Sequence, residues 1–192
     1  KGEYILRLDA DDCLASNAVE TILRYIENSD IKDPQIGALV FLTCYEGGET
    51  CGFHPFNNIK RCNFWDYRFK YKATGDRAEV FKTSYFRKFP MPSFPNERFV
   101  GESIVWNRFS DAYDAIYIPE AVLVREYNEN SITTLGAIIR IKNPKGCQAT
   151  GADYLNRPLP FKLKLKESVN YFRYSLHSDY SIIKLIKDIP LL

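Results

Sequence analysis

The amino-acid sequence predicts an α/β domain followed by a basic, mainly helical tail. Three observations carry this. The apolar run at residues 4–8 leads straight into Asp9, Asp11 and Asp12 and then into a helical pattern. A longer apolar run, "IGALVFLTCY" at residues 36–45, is bounded by turn residues. Beyond Thr133 the strand signals fade and helical spacing takes over. A continuous apolar run of this length fits a buried strand, whereas apolar residues three and four apart mark one face of a helix.

Taken in order, residues 4–8 read as a short buried strand ending at Asp9. Ser16 or Asn17 supplies a helix cap, and Val19, Ile22, Leu23 and Ile26 share one face. The second buried strand ends in the turn "EGGE". Residues 51–71 are aromatic and irregular, with no element assigned. "AEVF" reads as a strand, "TSYFRKF" as a short helix, and the proline-rich "PMPSFPNERF" as an extended loop. Glu102 opens a helix with Val105, Trp106, Phe109, Ala112 and Tyr113 on its apolar face. "AIYI" and "VLVREY" follow as short strands, then the polar turn "NENSIT". In "LKLKESVNYFRYSL", Leu165, Val169, Phe172 and Leu176 form one helical face among Lys and Arg.

With 192 residues and 45% hydrophobic content, the chain can build one substantial core. A net charge of +2 gives no case for nucleic acid as a partner. The charge is uneven, however: residues 140–192 carry +6 and the remainder −4. Such a tail suits an anionic partner or a membrane surface. Five cysteines without a C-x-x-C pair fit reduced thiols in the cytosol. Neither histidine has partners at metal spacing. The chain starts with Lys inside a strand, so a fragment is expected.

Three carboxylates within four positions repel one another unless a cation or polar ligand compensates. Hard oxygen donors at the end of a strand suit Mg²⁺ or Mn²⁺, which bridge to substrate phosphates. The bland alternative is an acidic loop favoured by the dipole of the next helix. "RLDADDC" also fits the D-x-D spacing of haloacid-dehalogenase-type phosphatases, with Asp9 as nucleophile, Asp11 as acid/base, Thr43 as phosphate-binding hydroxyl and Lys60 as lysine. Cys13 then stands where Thr is expected, and "GDRAEV" lacks the later acidic pair.

The rest of the chain separates these readings. "GEYILRLDADD" resembles the D-x-D strand of the family 2 inverting glycosyltransferases. The run from "GDRAEVFKTSYFRKF" through "ERFVGESIVWNRF" to "VREYNENSIT" resembles a bacterial cell-surface polysaccharide branch of that family. The resemblance covers about residues 2–134 and extends loosely to "KLKESVNYFRYSLH". It implies a GT-A fold, a Rossmann-like nucleotide-diphospho-sugar transferase lacking its first strands and helices, over residues 1–134, with residues 135–192 as a C-terminal extension.

It further implies a nucleotide-sugar donor and a saccharide or lipid-linked acceptor. Asp11 would be the main metal ligand and Asp9 would assist it while contacting ribose or diphosphate; Asp12 would support the loop. Asp76, Tyr127 and Ser131 would complete the donor site. Glu102 would be the general base. Many relatives carry Glu-Asp there with the Asp as base, but Ser103 follows here, so the role falls to Glu102, with Glu97 its nearest competitor. Trp106 is expected in the core. An unprotected sheet edge predicts association, for instance a homodimer. The expected location is the cytoplasm; the tail's apolar face either docks on the inner face of the membrane, peripherally, or packs back on the catalytic domain or a second subunit. A degenerate sugar-binding or scaffold module is the non-catalytic alternative.

Overall fold

A computed structural model describes residues 2–125 and 132–178, without the side chains of residues 132–135. Two compact units result: Lys1–Phe89 with Arg108–Asn128, and Pro90–Asn107 with Glu129–Leu192. This grouping differs from a division at residue 134, because the proline-rich segment joins the helical tail rather than the sheet.

The first unit is built on a mixed sheet of β1 (Tyr4–Leu6), β2 (Asp12–Leu14), β3 (Ile36–Tyr45), β4 (Lys60–Cys62), β5 (Arg77–Lys82) and β6 (Asp114–Arg125). Its order is β1-β5-β3-β6-β2, with β4 also on β6. β3 and β6 run parallel, and the other pairs are antiparallel. β3 is the buried centre, from Ile36 to Thr43. β6 is continuous through Pro119, where two short strands were expected. The register slips between Val40 and Leu42 opposite this stretch, the kind of irregularity that accommodates a residue without an N–H.

β1 departs from the expected buried strand. It is three residues long, pairs on one side only, and leaves Ile5 and Leu8 exposed at 38% and 47%. Helix α1 (Ala18–Asn28) forms as expected, but its inner face is Ala18, Thr21 and Ile22, with Tyr25 and Ile26 packed on the core. Val19 and Leu23 face solvent at 59% and 51%. Glu120 on β6 rotates the helix this way: it accepts from Tyr25 Oη at 2.5 Å and from Arg24 Nη2 at 2.6 Å. Each isoleucine sealed beneath contributes about 1.5–3 kcal/mol. At the start of β6, Arg61 ties the sheet edge by donating to Asp114, Asp33 and Gln35 at 2.8–3.0 Å.

Residues 51–71, unassigned from sequence, form β4 and a wide helical turn at Asp66–Lys70. Short α2 (Thr83–Phe86) and α3 (Ser103–Ser110) stand where helices were expected. Val105, Trp106 and Phe109 are buried as the spacing requires, whereas Ala112 lies beyond the helix and is exposed.

The second unit adds α4 (Ile132–Ile141), α5 (Pro144–Leu155) and α6 (Phe161–Ser175). Sequence reading missed α5, whose interior holds two glycines. Both are contact points: a Cβ on Gly146 would meet the Phe99 carbonyl oxygen at 2.1 Å, and one on Gly151 would meet Tyr171 at 3.2 Å. On α6 the buried residues are Tyr171, Tyr174 and Ser175. Of the face read from the spacing, Leu165, Val169 and Leu176 are 54–60% exposed, whereas Phe172 is partly buried against Leu155 and Tyr171.

Glu97 fastens the proline-rich segment. Its two carboxylate oxygens accept from the Lys145 and Gly146 amides at 2.9 and 2.7 Å, satisfying donors at the start of α5. Asn143 Oδ1 accepts from the Arg98 and Phe99 amides, and Thr150 Oγ1 from Gly101. Gly146→Ala forces a methyl group against a backbone carbonyl that cannot rotate away. It is expected to cost about 2–3 kcal/mol, measured as a lowered urea midpoint with unchanged slope.

Candidate functional site

The acidic stretch folds as a tight turn. The Asp12 amide donates to the Asp9 carbonyl at 3.2 Å, and the chain reverses into β2, which lies against the far end of β6 with Asp12 opposite Arg125. Asp9 and Asp11 therefore sit at an exposed tip. Asp12 points inward, its side chain only 7% exposed.

Arg125 is the partner that sequence reading overlooked. Its Nε donates to Asp12 Oδ1 at 3.4 Å, and its Nη1 donates to Asp76 Oδ2. One guanidinium thus joins the acidic turn to Asp76, which precedes β5. The Asp12 carboxyl titrates above its usual range, chiefly because burial disfavours its charge; Arg125 opposes this, and Asp9 and Asp11 reinforce it. A lone arginine near the end of an apolar strand was the available signal, but which carboxylates it meets depends on register.

Asp76 is held by a second, buried arginine. Arg77 is 6% exposed. It donates from Nε to Tyr67 Oη (2.7 Å), from Nη1 to the Cys51 and Asp76 carbonyls (2.7 and 2.6 Å), and from Nη2 to the Phe53 carbonyl (2.7 Å). Thr43 Oγ1 also donates to the Asp76 carbonyl at 3.0 Å. The loop at residues 51–53 lies directly on the turn before Asp76. Gly52 and Gly75 have φ of +73° and +78°, and a Cβ on either would strike the other's backbone within 2.8 Å.

Beneath Arg77, Tyr67 stacks on Tyr117 at 3.8 Å between ring centroids. Tyr67 Oη lies 2.8 Å from His54 Nδ1. Burial, with the Arg77 charge beside it, lowers the His54 pKa to about 4. The neutral ring and the Tyr67 hydroxyl share this hydrogen bond, so a hydrogen-bond chain links Arg77, Tyr67 and His54.

The other expected site residues fall elsewhere. Glu102 belongs to the second unit, exposed immediately before α3, with its carbonyl accepting from the Val105 amide at 2.9 Å. Glu97, its competitor, is occupied at the start of α5. Tyr127 and Ser131 lie outside the described residues. Among the described residues, no group of three or more His, Cys, Asp or Glu is arranged to hold a metal ion. Asp9 and Asp11 offer two exposed carboxylates, which suits a cation that takes its remaining ligands from phosphate and water.

Arg77→Lys removes the planar fork and leaves buried carbonyls unbonded. It is expected to cost about 3–5 kcal/mol, read from the urea midpoint. His54 makes stability pH-dependent with a definite sign. The fold holds the ring neutral down to about 4, whereas the unfolded chain binds the proton near 6.5. Unfolding therefore takes up a proton in this window, and stability falls as pH drops from about 6.5 to about 4. In His54→Phe that part of the slope is expected to vanish, measured by urea midpoints across the range.

No family model matches the chain, and no curated protein matches it in sequence. Two solved structures share its fold. S. aureus TarS, residues 1–349 in complex with UDP-GlcNAc, aligns at TM-score 0.59 and 11% identity over 99% of this chain and 58% of that one. The same protein in complex with UDP aligns at TM-score 0.52 and 12% identity over 100% of this chain and 52% of that one. The chain spans little more than half of TarS 1–349. The mixed α/β sheet thus has the fold seen in TarS 1–349, in keeping with the α/β class expected from the sequence.

Proposed function

We propose that the chain forms part of a metal-dependent, inverting glycosyltransferase of the family 2, GT-A type that uses a nucleotide-sugar donor. The observation carrying this reading is the coincidence of two features. The fold is shared with a protein crystallised with UDP-GlcNAc and UDP, and the acidic turn presents Asp9 and Asp11 at an exposed tip. The phosphatase reading fits less well. β1, which leads to Asp9, is an edge strand paired antiparallel with β5. Thr43, its would-be phosphate hydroxyl, is 2% exposed and bonded to the Asp76 carbonyl.

In this proposal Asp11, assisted by Asp9, holds Mg²⁺ or Mn²⁺. The ion, when bound, neutralises charge on the departing nucleoside diphosphate. Asp9 also faces ribose or diphosphate, and Asp76, Tyr127 and Ser131 complete the donor site. Arg125 restrains Asp12 and orients Asp76 at the donor site, so that the acids meant for the metal are those left at the tip. Glu102 serves as general base, taking the proton of the acceptor hydroxyl as its oxygen attacks the anomeric carbon from the face opposite the leaving group. The acceptor is a saccharide or lipid-linked glycan of the bacterial cell surface.

Calorimetric titration of UDP and GDP, with and without Mn²⁺, into the protein at its natural length tests the donor site. Binding is expected to need Mn²⁺ and to weaken at least tenfold in Asp11→Ala. Absence of binding to both nucleotides in the folded protein overturns the reading and favours a scaffold. Glu102→Gln is expected to leave that binding unchanged while lowering sugar transfer at least a hundredfold.

A further inference from the structure

We propose that α6 lies in the headgroup plane of an anionic lipid bilayer, with its exposed apolar row toward the acyl chains. Among the described residues no helix is long and apolar enough to cross a membrane, so the contact is one of surface. The helix is fifteen residues long. Its inner face is occupied by Tyr171, Tyr174 and Ser175, with Tyr171 against Gly151 and Tyr171 Oη accepting from Gln148 at 3.4 Å. Among the described residues the face turned away from these is exposed apart from Phe172, which is partly buried against Leu155 and Tyr171. Phe161, Leu165, Val169 and Leu176 are 70%, 54%, 57% and 60% exposed. At about 100° per residue these four fall within an arc of about 80°.

Charge identifies the occupant. Lys162, Lys166 and Arg173, all exposed, occupy the arc immediately beside the apolar row and form one basic flank. Glu167, the helix's one acid, turns to the inner side, where it lines a cavity of about 480 Å³. Lys166 and Arg173 line that cavity too, with Arg140 from α4. An exposed apolar row beside an acid-free basic flank matches an interface that is apolar inside and anionic at its rim. An antiparallel second copy fits worse, because twofold pairing of that kind sets the basic flank against itself.

The inference is independent of the donor-site proposal, and its test keeps the two apart. The protein at natural length is sedimented with vesicles of phosphatidylcholine alone or with one quarter phosphatidylglycerol, at 0.1 and 0.5 M NaCl. Partition is expected to be at least tenfold stronger on the anionic vesicles and to fall in high salt. Lys162→Glu with Lys166→Glu and Arg173→Glu is expected to lose that preference. Leu165→Ser with Val169→Ser is expected to bind anionic vesicles several-fold more weakly. Circular dichroism and Mn²⁺-dependent UDP binding should be unchanged in both variants, since every altered side chain is exposed. Equal partition to both vesicles, no partition, or variants that bind like the parent overturn the proposal. So does a concentration-dependent dimer abolished by the serine pair, which assigns the face to a second copy.

Discussion

The buried guanidinium of Arg77 organises the functional end of the first unit. It closes four hydrogen bonds, three to main-chain carbonyls of residues 51, 53 and 76 and one to Tyr67. A buried cation without such partners is strongly unfavourable; with them it becomes the joint between a loop, a turn and an aromatic stack. The close approach of Gly52 to Gly75 is the steric half of the same joint. Burial keeps His54 neutral, and the Arg77 charge beside it reinforces this.

From that joint the chain emerges at Asp76, whose carboxylate meets Arg125, whose other nitrogen meets Asp12. The two arginines act differently. Arg77 fixes backbone, while Arg125 balances charge at the rim of the sheet. The three aspartates of the turn are thereby sorted: Asp12 is anchored, and Asp9 and Asp11 remain outward. Mutual repulsion makes an acidic turn unfavourable unless it is compensated. Here an arginine compensates one charge and leaves two outward.

The second unit shows the same economy of polar groups. Glu97 closes the start of α5, and Asn143 and Thr150 accept the amides of the segment that crosses it. With its one acid, Glu167, on the inner side, α6 shows solvent apolar and basic side chains along one arc.

The sequence by itself determined the fold class, the helices at α1, α3 and α6, the central strand β3 and the acidic turn, because each rests on local periodicity or on residues adjacent in the chain. It also placed Trp106 in the core, where it is 8% exposed. Tertiary structure decided which helix faces are buried. The apolar residues of α1 and α6 are distributed widely enough to permit more than one rotation, and Glu120 and Gly151 select among them. It also decided that Asp12 and Asp76, 64 positions apart in the chain, share Arg125. That pairing depends on β2 lying against β6 in a register that puts Asp12 opposite Arg125, and strand register between distant segments is a property of the assembled sheet rather than of either segment.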